Sequence, residues 1–289
     1  MLAWVACKRA PKDPHENDTI TSGLIRIACD ENFKSLMDAE IAVFEGRNTR
    51  AAIIPIYTNE TDVFRLLTED SVRFALVTRD VTSKERAALK EKQLYATPHL
   101  VGFDGVALLI NTANKDTVLD LPTLKKILRG EVTEWSQMNP RTQLGAIRVV
   151  VDNTQSGILR YVADSIAGTS ALTPNIYGMK HPAEVVAKVQ EMPNTIGLIS
   201  YNAYSDTTKN IRLMRINGYL PYAGDLMQAN YPLWRPVYAM LTDPKRSLPS
   251  GLSVFLSQEI GQRILMKAGL LPITDPQNRD VVVTNEYPK

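Results

Sequence analysis

Short apolar runs alternate with amphipathic helical stretches along most of the chain. The runs 24–28, 52–57, 74–77 and 147–151 each have the length and β-branched content of a buried strand. A helix is predicted after the first run, because its apolar positions share one helical face: Phe33, Leu36, Met37, Ile41 and Phe44. Regular alternation of strands and helices predicts an α/β fold in which helices cover the sheets.

Local signals place individual elements. Pro55 lies inside the second predicted strand, and since proline cannot donate a ladder hydrogen bond, that strand is expected at a sheet edge or a bulge. Thr82 and Glu85 have the spacing of a capping box, which predicts that a helix begins there. One further helix is predicted over residues 252–267, and Gly269 is expected to end it.

The alternation is interrupted at Val101–Gly105, and the apolar run 106–110 follows. We interpret this break as a crossing into a second lobe, and the polar segment 206–210 as the return crossing. Each lobe is expected to be a mixed sheet flanked by helices, and the two connections would form a two-strand hinge. The predicted division is a tether at 1–22, a discontinuous lobe I at 23–104 and 211–289, and an inserted lobe II at 105–210.

Polar loops follow the predicted strands where the strands end. Because such strand ends meet at one edge of an open α/β sheet, and helix N-termini there bind anions, we expect a shared ligand cleft. The candidate ligand-binding residues in these loops are Asp30, Glu31, Asn32, Thr58, Thr78, Arg79, Asn153, Thr154, Ser156 and Gly157.

Composition and charge narrow the class of protein. The chain has 289 residues, 44% of them hydrophobic, which is enough for two cores. A formal net charge of +2, without a cluster of Lys and Arg, disfavours a nucleic-acid surface. No apolar stretch approaches the length of a membrane span. The three histidines lack metal-site spacing and no activated-nucleophile motif occurs, so we predict neither an enzyme nor a metal or cofactor.

The two cysteines have different predicted roles. Cys29 ends an apolar run, so burial is its expected state. Cys7 follows Leu2–Ala6, an apolar segment that ends in small residues and resembles a lipoprotein processing site. On this interpretation Cys7 carries lipid and tethers the protein outside the cytoplasm, at the periplasmic face or the cell surface. An ordinary frayed terminus is the alternative.

Stretches distributed over residues 22–273 resemble the phosphate-binding type of periplasmic solute-binding proteins that feed ABC importers. They include 71–80, 102–111, 149–157, 194–201, 231–243 and 255–272. The resemblance implies two α/β lobes that close on a small oxyanion, with the ABC permease as partner. It also implies that hydroxyls, backbone N–H groups, an arginine and one carboxylate hold the ligand.

Individual residues match the family pattern unevenly. Thr78 and Arg79 match a Ser/Thr-Arg pair, and Ser156-Gly157 match the middle of a Gly-Ser-Gly-Thr loop. Asp152 stands where the family usually has arginine, and Asp30-Glu31-Asn32 where it has hydroxyls. Pairing with a local carboxylate such as Asp80 is the alternative role for Arg79.

The acidic substitutions leave the ligand open. Asp30 and Asp152 are expected to cap helices, which would turn their oxygens toward backbone N–H groups. If Asp30, Glu31, Glu60 and Asp152 instead faced the cleft, with Arg79 and Arg160 opposed, a cation, an amine or a polar neutral solute would fit better. A sensor or interaction lipoprotein, with Tyr219, Tyr222, Tyr231 and Trp234 as an aromatic patch, and a phosphate-ester hydrolase remain competing hypotheses.

Overall fold

The computed structural model describes residues 18–168, 172–205, 207–243 and 245–274. The predicted lipidation site Cys7 and most of the predicted tether lie outside these residues. The strands are β1 (Ser22–Asp30), β2 (Arg50–Thr58), β3 (Phe74–Val77), β4 (Thr97–Asn111), β5 (Val118–Leu119), β6 (Arg148–Val151), β7 (Ile176–Gly178), β8 (Thr195–Ser200), β9 (Ile211–Leu213), β10 (Arg215–Ile216), β11 (Trp234–Leu241) and β12 (Leu271–Pro272).

Helices separate most of these strands, which confirms the predicted α/β fold class. They are α1 (Lys34–Arg47), α2 (Glu60–Thr68), α3 (Ser83–Glu91), α4 (Leu121–Arg129), α5 (Gly157–Tyr161), α6 (Pro182–Glu191), α7 (Ala223–Met227), α8 (Leu248–Ser257) and α9 (Glu259–Lys267). Single 3-10 turns form at Glu31–Phe33, Trp135–Gln137 and Tyr201–Ala203, and a π-helical turn, Val162–Ala167, continues α5.

Two mixed sheets share strand β4. The first has the order β2-β1-β3-β11-β4, and the second has the order β4-β8-β6-β7. The β1 strand is parallel to β2 and β3, whereas β11 is antiparallel to both of its neighbours. In the second sheet, β6 is parallel to β7 and β8. The carboxyl ends of β1, β2 and β3 therefore lie together at one edge.

The change of sheet occurs within β4, which runs without interruption through both lobes. Its part up to Gly105 pairs with β11, and Val106–Ile110 pairs with β8. Beyond residue 210, β9 pairs with the second part of β4, and β10 pairs with β5. The chain rejoins the first sheet where β11 begins, at Trp234.

From these pairings we propose that the return crossing lies later in the chain than residues 206–210. Apolar side chains between the two positions, including Met214, Tyr231 and Leu233, are buried in the core of the second sheet, so they fold with that sheet. We propose lobe I as 23–105 together with 234–274, and lobe II as 106–233. The β4 strand and the chain entering β11 form the two connections.

Each lobe has its own apolar core. In lobe I, Phe33, Met37 and Phe44 pack with Phe255 and Leu265 under the helices α1, α8 and α9. In lobe II, Trp135 is fully buried among side chains of α4, β6 and β8. These cores hold the strand ends in fixed positions.

Several local predictions are confirmed. The β2 strand, with Pro55, lies at the sheet edge, and Thr82 with Glu85 forms the capping box of α3. The prediction of one helix over 252–267 was wrong, because Gln258 has an extended backbone and separates α8 from α9. This break lets Gly261 approach the α8 backbone, where an added Cβ would clash with the Phe255 carbonyl oxygen.

Candidate functional site

Loops from both lobes meet in a closed cleft at the strand ends. Asn32, after β1, donates from Nδ2 to Oδ2 of Asp152, after β6, over 2.5 Å. Thr61 Oγ1 of α2 donates to the carbonyl oxygen of Gln155 over 3.1 Å. Because each of these bonds joins lobe I to lobe II, the cleft is closed.

The Glu60 carboxylate lies at the centre of this cleft. Glu60 is the first residue of α2, and its side chain is only 3% exposed. Its Oε1 accepts hydrogen bonds from the Thr78 backbone N–H (2.7 Å) and from Thr78 Oγ1 (2.6 Å). Its Oε2 lies 3.1 Å from Nε of Arg160, which belongs to α5 of lobe II. Donors from both lobes therefore converge on one carboxylate.

A buried arginine forms the floor of the cleft. Arg235 of β11 lies directly opposite Asp104 of β4, and its Nε donates to Asp104 Oδ2 over 2.9 Å. Each side chain of this pair is only 1% exposed. The other Asp104 oxygen accepts from Ser200 Oγ at 2.6 Å, and Arg235 Nη1 lies 3.4 Å from Thr78 Oγ1. Arg235 Nη2 is buried without a hydrogen-bond partner among the described residues.

Gly157 allows lobe II to approach these groups. A Cβ added at Gly157 would lie 2.8 Å from Glu60 Oε2 and 3.0 Å from Arg235 Nη1, closer than side-chain atoms normally pack. Gly157 is the first residue of α5, and Ser156 caps that helix by accepting from the Leu159 N–H at 3.0 Å. The Ser-Gly pair thus brings a helix start to the Glu60 carboxylate.

Burial and neighbouring charges shift the pKa values of the acidic side chains in the cleft. Four buried carboxylates, Asp30, Glu60, Asp104 and Asp152, surround Arg235. Burial raises the pKa of Asp30 to about 7; Arg235 opposes the rise, and the Asp152 and Glu60 charges add to it.

The pKa of Glu60 shifts in the opposite direction, below its usual value. Burial raises its pKa, but the charge of Arg160, hydrogen bonds from Thr78 and the charge of Arg235 together bring it below the usual value. Glu60 is therefore ionised at neutral pH, whereas Asp30 titrates near neutrality.

The structure brings several of the predicted site residues together. Asn32, Thr78 and Gly157 line the contact between the lobes, and Asp30 is buried beside Asn32. Asp30 caps the turn that begins at Glu31 by accepting from the Asn32 N–H, which confirms its predicted capping role. Glu31 lies at the cleft rim, where its carboxylate pairs with His181 Nδ1 of lobe II at 2.9 Å.

Other predicted residues have different surroundings. Asp152 does not cap α5, because Ser156 does so, and the Asp152 carboxylate reaches Asn32 across the cleft instead. Thr154 is exposed, and Asn153 Oδ1 accepts from the N–H of Gln155 within its own loop. Thr58 ends β2 and directly precedes Asn59, the residue that caps α2.

Arg79 is bound to a carboxylate of its own lobe. Its Nη1 and Nη2 lie 2.7 Å and 2.8 Å from the two oxygens of Glu85, and its guanidinium stacks on Phe64. The local partner is thus Glu85, since Asp80 contributes only its carbonyl oxygen to Arg79. Arg79 Nε is 4.0 Å from Glu60 Oε2, so a role in ligand binding stays a prediction.

Four residues of the cleft are absent from the set of candidate ligand-binding residues. Glu60 and Arg160 belong only to the alternative in which acidic groups face the cleft. Arg235 and Asp104 have no place in the sequence predictions. Both are charged residues within otherwise apolar strand segments, and that contrast is the signal that could have found them. The predicted aromatic patch is divided, because Tyr231 is buried and donates to the Val106 carbonyl oxygen. Within the described residues no helix has the length and apolarity of a membrane span, and no group of side chains forms a metal site.

Comparisons with known proteins agree with this architecture. A family model described as a PBP superfamily domain matches residues 14–258. The phosphate-binding protein PstS of Bacillus subtilis is 22% identical over 285 residues, which cover 95% of this chain and 91% of that protein. These matches confirm the resemblance seen in the sequence.

Solved structures share the fold. The crystal structure of a Clostridium perfringens substrate-binding protein assigned to phosphate ABC transport, with bound phosphate, has a TM-score of 0.76 and 22% identity, covering 87% of this chain and 100% of that one. An ABC-type phosphate transport receptor from Vibrio cholerae has a TM-score of 0.68 and 21% identity, covering 86% and 99%. The predicted two-lobed fold is thereby confirmed.

Proposed function

The chain belongs to the PBP superfamily, and on this premise we propose that it is a solute-binding protein that captures a small oxyanion between its lobes. Phosphate is the proposed oxyanion, because the similar proteins from Bacillus subtilis, Clostridium perfringens and Vibrio cholerae are described as phosphate-binding or phosphate-transport proteins. An ABC importer permease would receive the solute. This role involves no catalysis.

The donor set around the Glu60 carboxylate is the observation that carries this proposal. A carboxylate is itself a small oxyanion, and the groups that hold it are a backbone N–H, a hydroxyl and a guanidinium. Phosphate oxygens accept hydrogen bonds from the same three groups. Arg235, buried beside Thr78, adds positive charge at the floor. The set therefore fits an oxyanion better than it fits an amine.

Location outside the cytoplasm follows from this role, since an importer collects its solute there. The proposed anchor is a lipid on Cys7, which would make membrane contact independent of the two lobes. Radiolabelled fatty-acid incorporation that is lost in Cys7→Ser would support the anchor.

Binding measurements test the oxyanion directly. We expect calorimetric titration of the full chain to give saturable binding of phosphate, and no binding of ammonium or small alkylamines at equal concentration. The physical reason is that Thr78, Arg160 and Arg235 offer donors, which an ammonium group cannot use. Absence of measurable phosphate and sulfate binding up to about 10 mM would contradict the proposal, because it corresponds to a binding free energy of less than about 3 kcal/mol.

A cationic or polar neutral solute is the second candidate. It is favoured by Asp30 Oδ2 and Asp152 Oδ1, which are buried without hydrogen-bond partners among the described residues. Binding of an amine without phosphate binding, in the same titrations, would select this candidate.

A further inference from the structure

The position of Glu60 has a consequence for how a solute enters the cleft. Thr78 and Arg160, the donors assigned above to the oxyanion, already bind the Glu60 carboxylate. We propose that Glu60 is an internal competitor of the solute, which holds the lobes closed until an oxyanion displaces it. This inference rests on the proposed function.

Local structure does not require the Glu60 carboxylate. The N-terminus of α2 is already capped by Asn59, whose Oδ1 accepts from the Asp62 N–H at 3.0 Å. Of the residues in the first turn of α2, Glu60 points inward, whereas Asp62 pairs with Arg65 of the same helix. The inward carboxylate therefore acts on the cleft rather than on the helix.

Glu60 bridges the lobes as a solute would. Its two oxygens bind different lobes, Oε1 to Thr78 of lobe I and Oε2 to Arg160 of lobe II. Closure without solute is then favoured by a contact that the chain makes with itself. An entering phosphate finds these donors occupied, so its apparent affinity is lowered by the fraction of molecules in which Glu60 has left.

Substitution of Glu60 should therefore raise the affinity for phosphate. We expect Glu60→Ala to bind inorganic phosphate about tenfold or more tightly than the unaltered chain, because a charged hydrogen-bond set no longer has to be broken first. Glu60→Gln keeps the shape of the side chain but removes its charge, and should give a smaller gain. Asp62→Asn, a matched neutralisation in the same helix turn, should stay within about twofold.

A second substitution tests whether the gain uses the freed donors. Thr78→Val, introduced into the Glu60→Ala background, removes the hydroxyl and should reduce the gained affinity about tenfold. The matched change Thr68→Val, where the hydroxyl bonds to carbonyl groups of α2 itself, should leave the gain within about twofold. Affinity unchanged by Thr78→Val would overturn the inference.

Thermal unfolding and small-angle scattering of the same proteins give a second test of the competitor. Glu60→Ala leaves Arg160 without its carboxylate, so phosphate should raise the thermal unfolding temperature of this variant more than that of the unaltered chain. Small-angle scattering should also show a larger radius of gyration for Glu60→Ala without phosphate, and a decrease when phosphate is added. An equal temperature shift in both proteins would count against the competitor.

The outcomes separate this inference from the proposed function. Equal, measurable phosphate affinity of the unaltered chain and Glu60→Ala overturns the competitor and leaves oxyanion capture standing. Binding by Glu60→Ala alone supports the competitor but contradicts capture by the natural chain. If neither the unaltered chain nor any variant binds phosphate, both the competitor inference and the proposed function are overturned.

Discussion

Replacement of Arg235 by methionine is expected to lower the free energy of unfolding by about 3–5 kcal/mol, the usual cost of removing one partner from a buried ion pair. Arg235 pairs with Asp104 at 2.9 Å, and both side chains are almost fully buried. The Asp30 and Glu60 carboxylates also interact with this guanidinium. Without Arg235, these acids would be buried with too little positive charge. Urea denaturation monitored by circular dichroism measures the loss.

Two further variants give this experiment its controls. Arg235→Met combined with Asp104→Leu removes both charges of the pair, and should recover at least half of the lost stability. Arg65→Met removes an exposed arginine whose pair with Glu69 lies on the surface of α2, and should leave the stability nearly unchanged. If Arg235→Met and Arg65→Met had equal free energies of unfolding, the buried charge of Arg235 would not stabilise the cleft floor.

Replacement of Glu40 by leucine should stabilise the protein at neutral pH, by about 3 kcal/mol. Glu40 lies on the inner face of α1, and its two carboxylate oxygens are buried without hydrogen-bond partners among the described residues. Burial raises the pKa of Glu40 to about 9, from an ordinary value of 4.5. Folding at pH 7 thus requires this carboxylate to take up a proton, a requirement that leucine removes.

The sign of the pH dependence follows from the raised pKa. Below pH 4.5 the group is protonated in the folded and unfolded chains, so its titration does not affect stability there. Between pH 4.5 and about 9 only the unfolded chain releases the proton, and stability falls by up to about 1.4 kcal/mol per pH unit. Asp30, with its pKa raised to about 7, adds a slope of the same sign between pH 3.8 and 7.

Variants separate these two contributions. Glu40→Leu and Glu40→Gln should both flatten the decline of stability between pH 7 and 9, although glutamine gains less because its amide stays buried without a partner. Glu91→Gln, an exposed change on α3, should keep the full decline. Chemical denaturation at a series of pH values gives the slopes, and a slope for Glu40→Gln equal to that of the unaltered chain would refute the assignment.

The acidic loops of the cleft explain why sequence alone left the solute open. Asp30 and Asp152 sit in corresponding loops, yet one caps its own turn and the other reaches Asn32 in the opposite lobe. Which of these contacts forms depends on how close the lobes stand. That distance depends on β4, which runs through both lobes, and on the small volume of Gly157. The local motif identifies Gly157, but it does not reveal that Glu60 and Arg235 are the groups that Gly157 approaches.

The sequence by itself determined the alternation of strands and helices, the edge position of the strand with Pro55, the capping box at Thr82 and the loops that meet at the cleft. These features depend on periodicity and on contacts between near neighbours in the chain. The capping role of Asp30 belongs to the same class, because its partner is the N–H of Asn32.

Only the tertiary structure decided the pairing of Arg235 with Asp104, the central position of Glu60 and the burial of Met214, Tyr231 and Leu233 in the core of the second sheet. Each of these joins segments that are remote in the chain, and the strands β9 and β10 are too short to show periodicity. The partner of Arg79 is near in the chain, yet the sequence did not identify it. Two carboxylates, Glu60 and Glu85, lie within reach of the Arg79 guanidinium, and packing against Phe64 favours Glu85. Which charges meet is settled by three-dimensional distance and burial, and the order of residues constrains these only in part.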